Sequence, residues 1–140
     1  MVQNYRYLNK WTIKNNYSLP LILDIIENID IKKVFTKLDL RWEYNNIQIK
    51  KGDEWKVAFT TPERSFEPTV MSFGLTNSLV IFQIIMNKIL QNLINMGKVE
   101  SFIDDVIMRT KEEERHNEVV EEVVRRLAEY DLYVKSKKYK

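Results

Sequence analysis

Residues 99–108 read Val-Glu-Ser-Phe-Ile-Asp-Asp-Val-Ile-Met, two short runs of β-type residues that meet at adjacent carboxylates, Asp104 and Asp105. Few arrangements satisfy both halves of this pattern. The apolar, β-branched flanks favour a pleated, half-buried surface, which makes the segment a hairpin. Adjacent carboxylates repel, and burial raises the cost of ionising both. A cation beside them removes that cost. A hard divalent ion such as Mg²⁺ takes oxygen ligands, often one or two carboxylates together with substrate phosphates. The pair therefore points to phosphoryl transfer, provided a third carboxylate reaches it.

The third candidate is Asp39, in Phe-Thr-Lys-Leu-Asp-Leu, residues 35–40. An acid inside an apolar strand is costly unless it is paired or bound to metal. Two readings stay open from these residues: an edge-strand aspartate paired with Lys37 or Arg41, and a metal ligand. Asp39 and the Asp104–Asp105 pair both fall in strand-like segments that one sheet can hold. Three carboxylates at adjacent strand ends can hold two divalent ions. Two ions about 3.5–4 Å apart stabilise both the attacking and the leaving oxygens of an in-line displacement.

A chain of 140 residues makes one domain with a real core. It has no cysteine, which excludes disulfides and thiolate metal sites. Its one histidine, His116, excludes a multi-histidine site and is expected to be exposed and inert. The longest apolar runs, such as Leu79–Phe82, are far too short to span a bilayer. The N-terminus lacks the apolar core of a signal peptide. An intracellular location, cytoplasmic or nuclear, with no membrane partner is expected. The net charge of +2 is unevenly spread, with Arg6, Lys10 and Lys14 near the start and Lys135, Lys137, Lys138 and Lys140 at the end. Basic ends with Tyr5, Tyr7, Trp11 and Tyr17 nearby suit a polyanion, although lysines also cluster at ordinary solvated termini.

Along the chain, residues 1–18 read as an extended lead-in. Pro20 opens a helix whose Leu21, Ile22, Ile25, Ile26 and Ile29 recur at helical spacing. Val34–Leu40 reads as a strand. Tyr44–Lys50 alternates, and Trp55–Thr60 returns across the turn Lys51-Gly52-Asp53-Glu54, which predicts a hairpin. Pro62 and Pro68 bracket a loop with a short strand at its far end. Thr76 or Asn77 caps a helix that runs to about Met96 and stops at Gly97. Val99–Met108 is the acidic hairpin. Thr110 caps a helix over about 111–130. Its buried stripe is Val119, Val120, Val123, Val124 and Leu127, and its solvated side carries the pairs Glu121–Arg125 and Glu122–Arg126. Leu132–Val134 is a short final strand. The order helix, strand, hairpin, long helix, hairpin, helix, strand predicts an α+β fold: an antiparallel sheet with helices packed on one face.

Five blocks occur in order: Asn-Tyr-Arg-Tyr-Leu-Asn-Lys from Asn4, Phe-Thr-Lys-Leu-Asp-Leu-Arg-Trp-Glu-Tyr-Asn from Phe35, Gly-Asp-Glu-Trp-Lys from Gly52, Phe-Glu-Pro-Thr-Val-Met-Ser-Phe-Gly-Leu-Thr-Asn-Ser from Phe66, and Phe-Ile-Asp-Asp from Phe102. Together they resemble the fingers–palm region of reverse transcriptases, above all that of gypsy-type long-terminal-repeat retrotransposons. The resemblance implies a polymerase palm with part of the fingers. The reaction it implies is RNA-directed DNA polymerisation, a two-metal nucleotidyl transfer from a dNTP to a primer 3′-hydroxyl. The implied cofactors are two Mg²⁺ or Mn²⁺ ions, and the implied partner is an RNA or DNA template with its primer. Catalytic roles fall to Asp39, Asp104 and Asp105, with the Leu40 carbonyl as a further metal ligand. Tyr44 matches the aromatic that crowds the ribose 2′ position, against the simpler reading of a strand-face tyrosine. Phe73 and Gly74 match the start of the block under the incoming nucleotide, where a glycine permits close backbone approach or serves a plain turn. Gln83 and Arg6 become template or primer contacts. Lys138 matches a lysine that protonates the pyrophosphate leaving group, against the reading of a solvated tail lysine.

The resemblance also implies that residues 1–140 are one partial domain, without the first fingers strands, the thumb and the RNase H region of the family. Several positions depart from the family pattern. Glu43 stands where a small residue is usual, Asn4 where an aspartate is, Leu79 where a proline is, and Phe102 where a tyrosine is. Glu100 and Ser101 put polar groups into a normally apolar strand, at a cost in stability if they are buried. The missing thumb, Glu43 and the basic ends support an alternative, a non-catalytic nucleic-acid- or partner-binding remnant of a retroelement. Exposed apolar surface and sheet edges predict self-association.

Overall fold

In residues 34–41 apolar and polar side chains alternate, and the strand they form, β1 (Val34–Arg41), buries Leu38 and Leu40 on one face and leaves Lys37 and Asp39 on the other. The computed structural model describes residues 3–20, 34–41 and 45–135. The helix expected after Pro20 lies outside the described residues, as do Glu43, Tyr44 and Lys138. Among the described residues β1 is an inner strand of a four-stranded antiparallel sheet, not the edge strand that an ion-paired Asp39 would have fitted. The acidic segment supplies β4 (Val99–Phe102) and β5 (Asp105–Thr110), and Tyr133–Val134 is the last strand, β6. The spatial order is β4-β5-β1-β6. The register pairs Leu38 with Val106 and Asp39 with Asp105.

Two long helices cover one face of the sheet. Helix α2 (Ser78–Asn95) brings Phe82, Met86, Ile89, Leu90 and Leu93 along one side, and α3 (Glu113–Glu129) brings Val119, Val123 and Leu127. These side chains form one core with Leu38, Leu40, Val99, Val106, Met108 and Leu132. Each large side chain taken fully out of water contributes about 1.5–3 kcal/mol, so this face, rather than local propensity, fixes the fold. Gly97 ends α2 at φ 68°. Its N–H donates to the Ile94 carbonyl at 2.8 Å, and the Lys98 N–H donates to Leu93 at 3.0 Å, the paired bonds of a glycine-terminated helix.

Helix α3 starts at Glu113 with Glu112, not Thr110, at its N-cap, and it differs from expectation in three further ways. Its buried stripe is narrower, because Val124 lies off the 116–119–123–127 line and is 40 % exposed. Arg125 pairs with Glu122 and Glu129 rather than Glu121, while the Glu122–Arg126 pair forms at 2.6 Å. His116 is not an exposed bystander: it is 4 % exposed and extends the stripe by one turn. Its Nε2 lies 2.7 Å from the Thr36 hydroxyl and its Nδ1 2.9 Å from the Thr110 hydroxyl, so it ties α3 to β1 and β5.

Residues near the N-terminus are not simply extended; Arg6–Trp11 is a short helix, α1. Among the described residues 45–60, the expected hairpin does not form. Gly52 takes φ 92°, Lys56 pairs with Asp53 at 2.6 Å, and Glu54–Val57 becomes a 3₁₀ turn, which removes those residues from any strand. What remains, β2 (Phe59–Thr60), pairs with β3 (Ser65–Phe66). Residues 47–49 instead lie against 69–71, through Ile49 N–H to Thr69 at 2.9 Å and Met71 N–H to Ile47 at 2.8 Å.

Candidate active site

The two faces of the sheet divide its residues by chemistry. Because side chains alternate, Lys37 and Asp39 share the face opposite the helices, and the antiparallel register sets Asp105 directly across from Asp39. Lys37 lies across from Ile107, one step diagonal to Asp105. Its ammonium is 2.7 Å from Asp105 Oδ2 and 3.8 Å from Asp39 Oδ1. Asp104 sits in the turn between β4 and β5, and its carbonyl accepts the Leu40 N–H at 2.8 Å. The structure thus brings Asp39, Leu40, Asp104 and Asp105 to one corner of the sheet. Among the described residues, however, no three His, Cys, Asp or Glu side chains are grouped to hold a metal ion. Asp39 and Asp105 face each other, and a lysine ammonium pairs with both.

The charges at this corner oppose one another. Burial pushes the Asp105 carboxyl above the usual aspartate value, the Lys37 ammonium pulls it down, and the hydrogen bond with Asp39 and the charge of Asp104 push it up again. Burial and the like charges win, even with a cation in contact. Lys37 is itself held above the ordinary lysine value, first by its hydrogen bond to Asp105 and, against some desolvation, by the charges of Asp105, Asp39 and Asp104. The donors are carboxylate oxygens, the chemistry that a hard divalent cation takes, and neighbouring like charges are what such an ion would relieve. By donor type the residues fit the implied metal.

The acidic turn is supported from beneath by a polar cluster inside the core. Gln83, expected at the template, is instead fully buried on α2. Its Nε2 donates to Ser101 O at 2.9 Å and to Asn87 Oδ1 at 2.9 Å, and its Oε1 accepts the Ile103 N–H at 2.7 Å. Those contacts commit the amide to the hairpin. Ile103 takes φ 54°, a region that a β-branched residue seldom occupies, immediately before Asp104. Ser101 faces the core, with its hydroxyl donating to Asn87 at 2.9 Å, so the cost expected of a buried polar residue there is offset. Glu100 falls on the opposite face and pairs with Arg109 at 2.6 Å. The signal for this cluster was in the sequence: a serine in an apolar strand, and Gln83 and Asn87 one turn apart on an apolar helix.

The remaining candidates within the described residues, Arg6, Phe73 and Gly74, lie on α1 and in the loop before α2. Arg6 is exposed on α1, and its N–H bonds Asn4 Oδ1 at 3.2 Å. Asn9 of the same helix donates to the Gly74 carbonyl at 2.8 Å and accepts the Thr76 N–H at 2.9 Å. Asn77 does the same in reverse, donating to the Ile13 carbonyl at 2.8 Å and accepting the Asn15 N–H at 3.1 Å. Tyr5 and Tyr17 add hydroxyl contacts to Ser72 and Asn87. The segment 5–17 is therefore stitched across the loop that precedes α2. Gly74 has φ 102°, with the Tyr5 ring beside it, so its conformation calls for glycine irrespective of any ligand. Phe73 next to it is 72 % exposed.

The family model for reverse transcriptase (RNA-dependent DNA polymerase) matches residues 1–140, and the chain belongs to that family. The Transposon Tf2-3 and Tf2-7 polyproteins of Schizosaccharomyces pombe are each 36% identical to it over 138 residues, covering 99% of this chain and 10% of the polyprotein. The chain thus spans about a tenth of these relatives. The foamy viral protease–reverse transcriptase in complex with RNA/DNA hybrid superposes with a TM-score of 0.87 at 26% identity, over 98% of this chain and 18% of that one. The same enzyme's dRH form in complex with double-stranded DNA matches with a TM-score of 0.84 at 24% identity, over 94% and 23% of the two chains, a likeness of fold. Among the described residues no helix is long and apolar enough to cross a membrane.

Proposed function

We propose that this chain is the fingers–palm part of a retrotransposon RNA-directed DNA polymerase, and that the corner formed by Asp39, Asp104 and Asp105 is its catalytic centre. The observation that carries this reading is the register that sets Asp39 against Asp105 on the open face of the sheet, in a chain matched along its length by the reverse transcriptase family. Mg²⁺ or Mn²⁺ would be held by Asp39, Asp104, Asp105 and the Leu40 carbonyl. Such ions, when bound, lower the pKa of a hydroxyl nucleophile and offset charge on a triphosphate and its pyrophosphate leaving group.

The chain's own residues supply position. The core beneath Leu38, Val106 and Met108 fixes the strands that carry the acids, and Gln83 holds the turn between them. Arg6 offers an exposed guanidinium to a template or primer phosphate, and Phe73 and Gly74 offer a surface for the incoming dNTP. Tyr44 would crowd the ribose 2′ position and Lys138 would donate a proton to pyrophosphate. An RNA or DNA template with its primer is the partner, in keeping with the RNA/DNA hybrid and double-stranded DNA held by the foamy viral enzyme. Contacts to a phosphate backbone release counterions, so binding should weaken steeply with salt.

Primer extension on poly(rA)/oligo(dT) with dTTP and Mn²⁺ tests the reading. We expect incorporation by the wild type and a loss of at least about 100-fold in Asp104→Asn, the scale on which removal of one charge-stabilising group is felt. Template binding that falls with salt, with no extension that depends on Asp104, would overturn the enzyme and leave a nucleic-acid-binding remnant.

A further inference from the structure

We propose that Lys37 is a tethered counter-ion of the acidic corner: its ammonium bridges Asp39 and Asp105 in the metal-free protein and releases Asp105 when a divalent cation enters. The inference rests on the reading of that corner as a metal site and assigns a residue that competes for it.

The geometry is imposed by the sheet. Side chains two apart on β1 share a face, and the β1–β5 register puts Asp105 diagonal to Lys37 and opposite Asp39. Two carboxylates held face to face repel, and the contacts of 2.7 Å and 3.8 Å to Lys37 supply the balancing charge from within the chain. A second diagonal pair on the same face shows what a permanent bridge looks like. Arg109 meets Glu100 at 2.6 Å with its side chain 16 % exposed, and its Nε is also fixed to the Gly97 carbonyl at 2.9 Å. Lys37 has no such enclosure: its side chain is 56 % exposed, and a lysine is a point charge on a flexible four-carbon stem. It can swing into solvent and remain hydrated. A divalent ion brings twice the charge to the same oxygens, so it offsets the facing carboxylates better than the single ammonium it displaces.

Calorimetric titration of Mn²⁺ alone into the full 140-residue chain separates this inference from the one beneath it. We expect Lys37→Met to bind Mn²⁺ about tenfold more tightly than wild type, the scale of one partly exposed charge a few ångströms away, and Asp39→Asn to bind it more weakly. Equal affinities in wild type and Lys37→Met, with binding still dependent on Asp39, would overturn the role of Lys37 and leave the metal site standing. No Asp39-dependent heat in either protein would overturn both. A second measurement needs no variant. Acetylation of the Lys37 amine, read by peptide mass with Lys98 and Lys111 as internal references, should rise severalfold at saturating Mn²⁺. Unchanged labelling there would show that the ammonium is not released.

Discussion

Asp105 has one cation and two carboxylates for neighbours, and burial tips the balance towards the protonated acid. The sign of its effect on stability follows. With the native value raised above the unfolded one, the native state binds more protons between the two, so stability falls as pH rises through that window. Lys37 acts with the usual sign for a raised base: its contribution is complete below the ordinary lysine value and is lost only as pH climbs through the higher native one. Near neutrality the Asp105 effect is the one exposed. In thermal melts of metal-free protein, Asp105→Asn should therefore gain on wild type as pH rises from about 4 to about 7. Parallel pH profiles for the two would show that Asp105 is not strained by its neighbours. The acids were legible from residue type alone, and so was Lys37 as a partner of Asp39. Its shorter contact with Asp105 was not, because that depends on a register set by the apolar faces of both strands.

At the scale of elements, the contact that matters most to the site is the one between α2 and the acidic hairpin. Gln83 satisfies the Ile103 N–H and Ser101 together, and it does so where the backbone turns through positive φ. Gln83→Leu keeps the volume and strands those partners in the core. It should cost about 2–4 kcal/mol in urea unfolding, the sum of one or two buried polar groups left without partners. A change below about 0.5 kcal/mol, the level of an ordinary surface substitution, would show that the cluster does not hold the turn. Helices α2 and α3 and the acidic hairpin were legible because long periodic patterns and a glycine stop leave little choice. The predicted hairpin over 44–60 failed because Asp53, Lys56 and Gly52 spend four residues on a helical turn, a local preference that strand alternation does not reveal. His116 was misjudged for the opposite reason. It sits among charged residues, yet it falls three residues before Val119 on the buried line, and two threonine hydroxyls satisfy its ring.

Among the described residues, several large apolar side chains on or next to the short helix α1 are exposed. Tyr7, Trp11, Ile13, Trp55 and Phe73 are all more than 60 % exposed, and Ile13 reaches 90 %. Scattered exposed apolar residues are ordinary, but several near one short helix mark a surface that associates. Light scattering of the 140-residue chain should show mass rising with concentration, and the double variant Trp11→Ser, Ile13→Ser should suppress it. A monodisperse monomer at high concentration would count against that surface. Residues 5–17 also leave the ribosome before their long-range partners exist. Their hydrogen bonds reach 62 to 70 residues ahead, to Ser72, Gly74, Thr76, Asn77 and Asn87. At about 5–20 residues per second the segment waits roughly 3 to 14 seconds for its partners to be made. During that interval the strap has none of these partners, so it settles only after the loop before α2 and the first turns of α2 have been made.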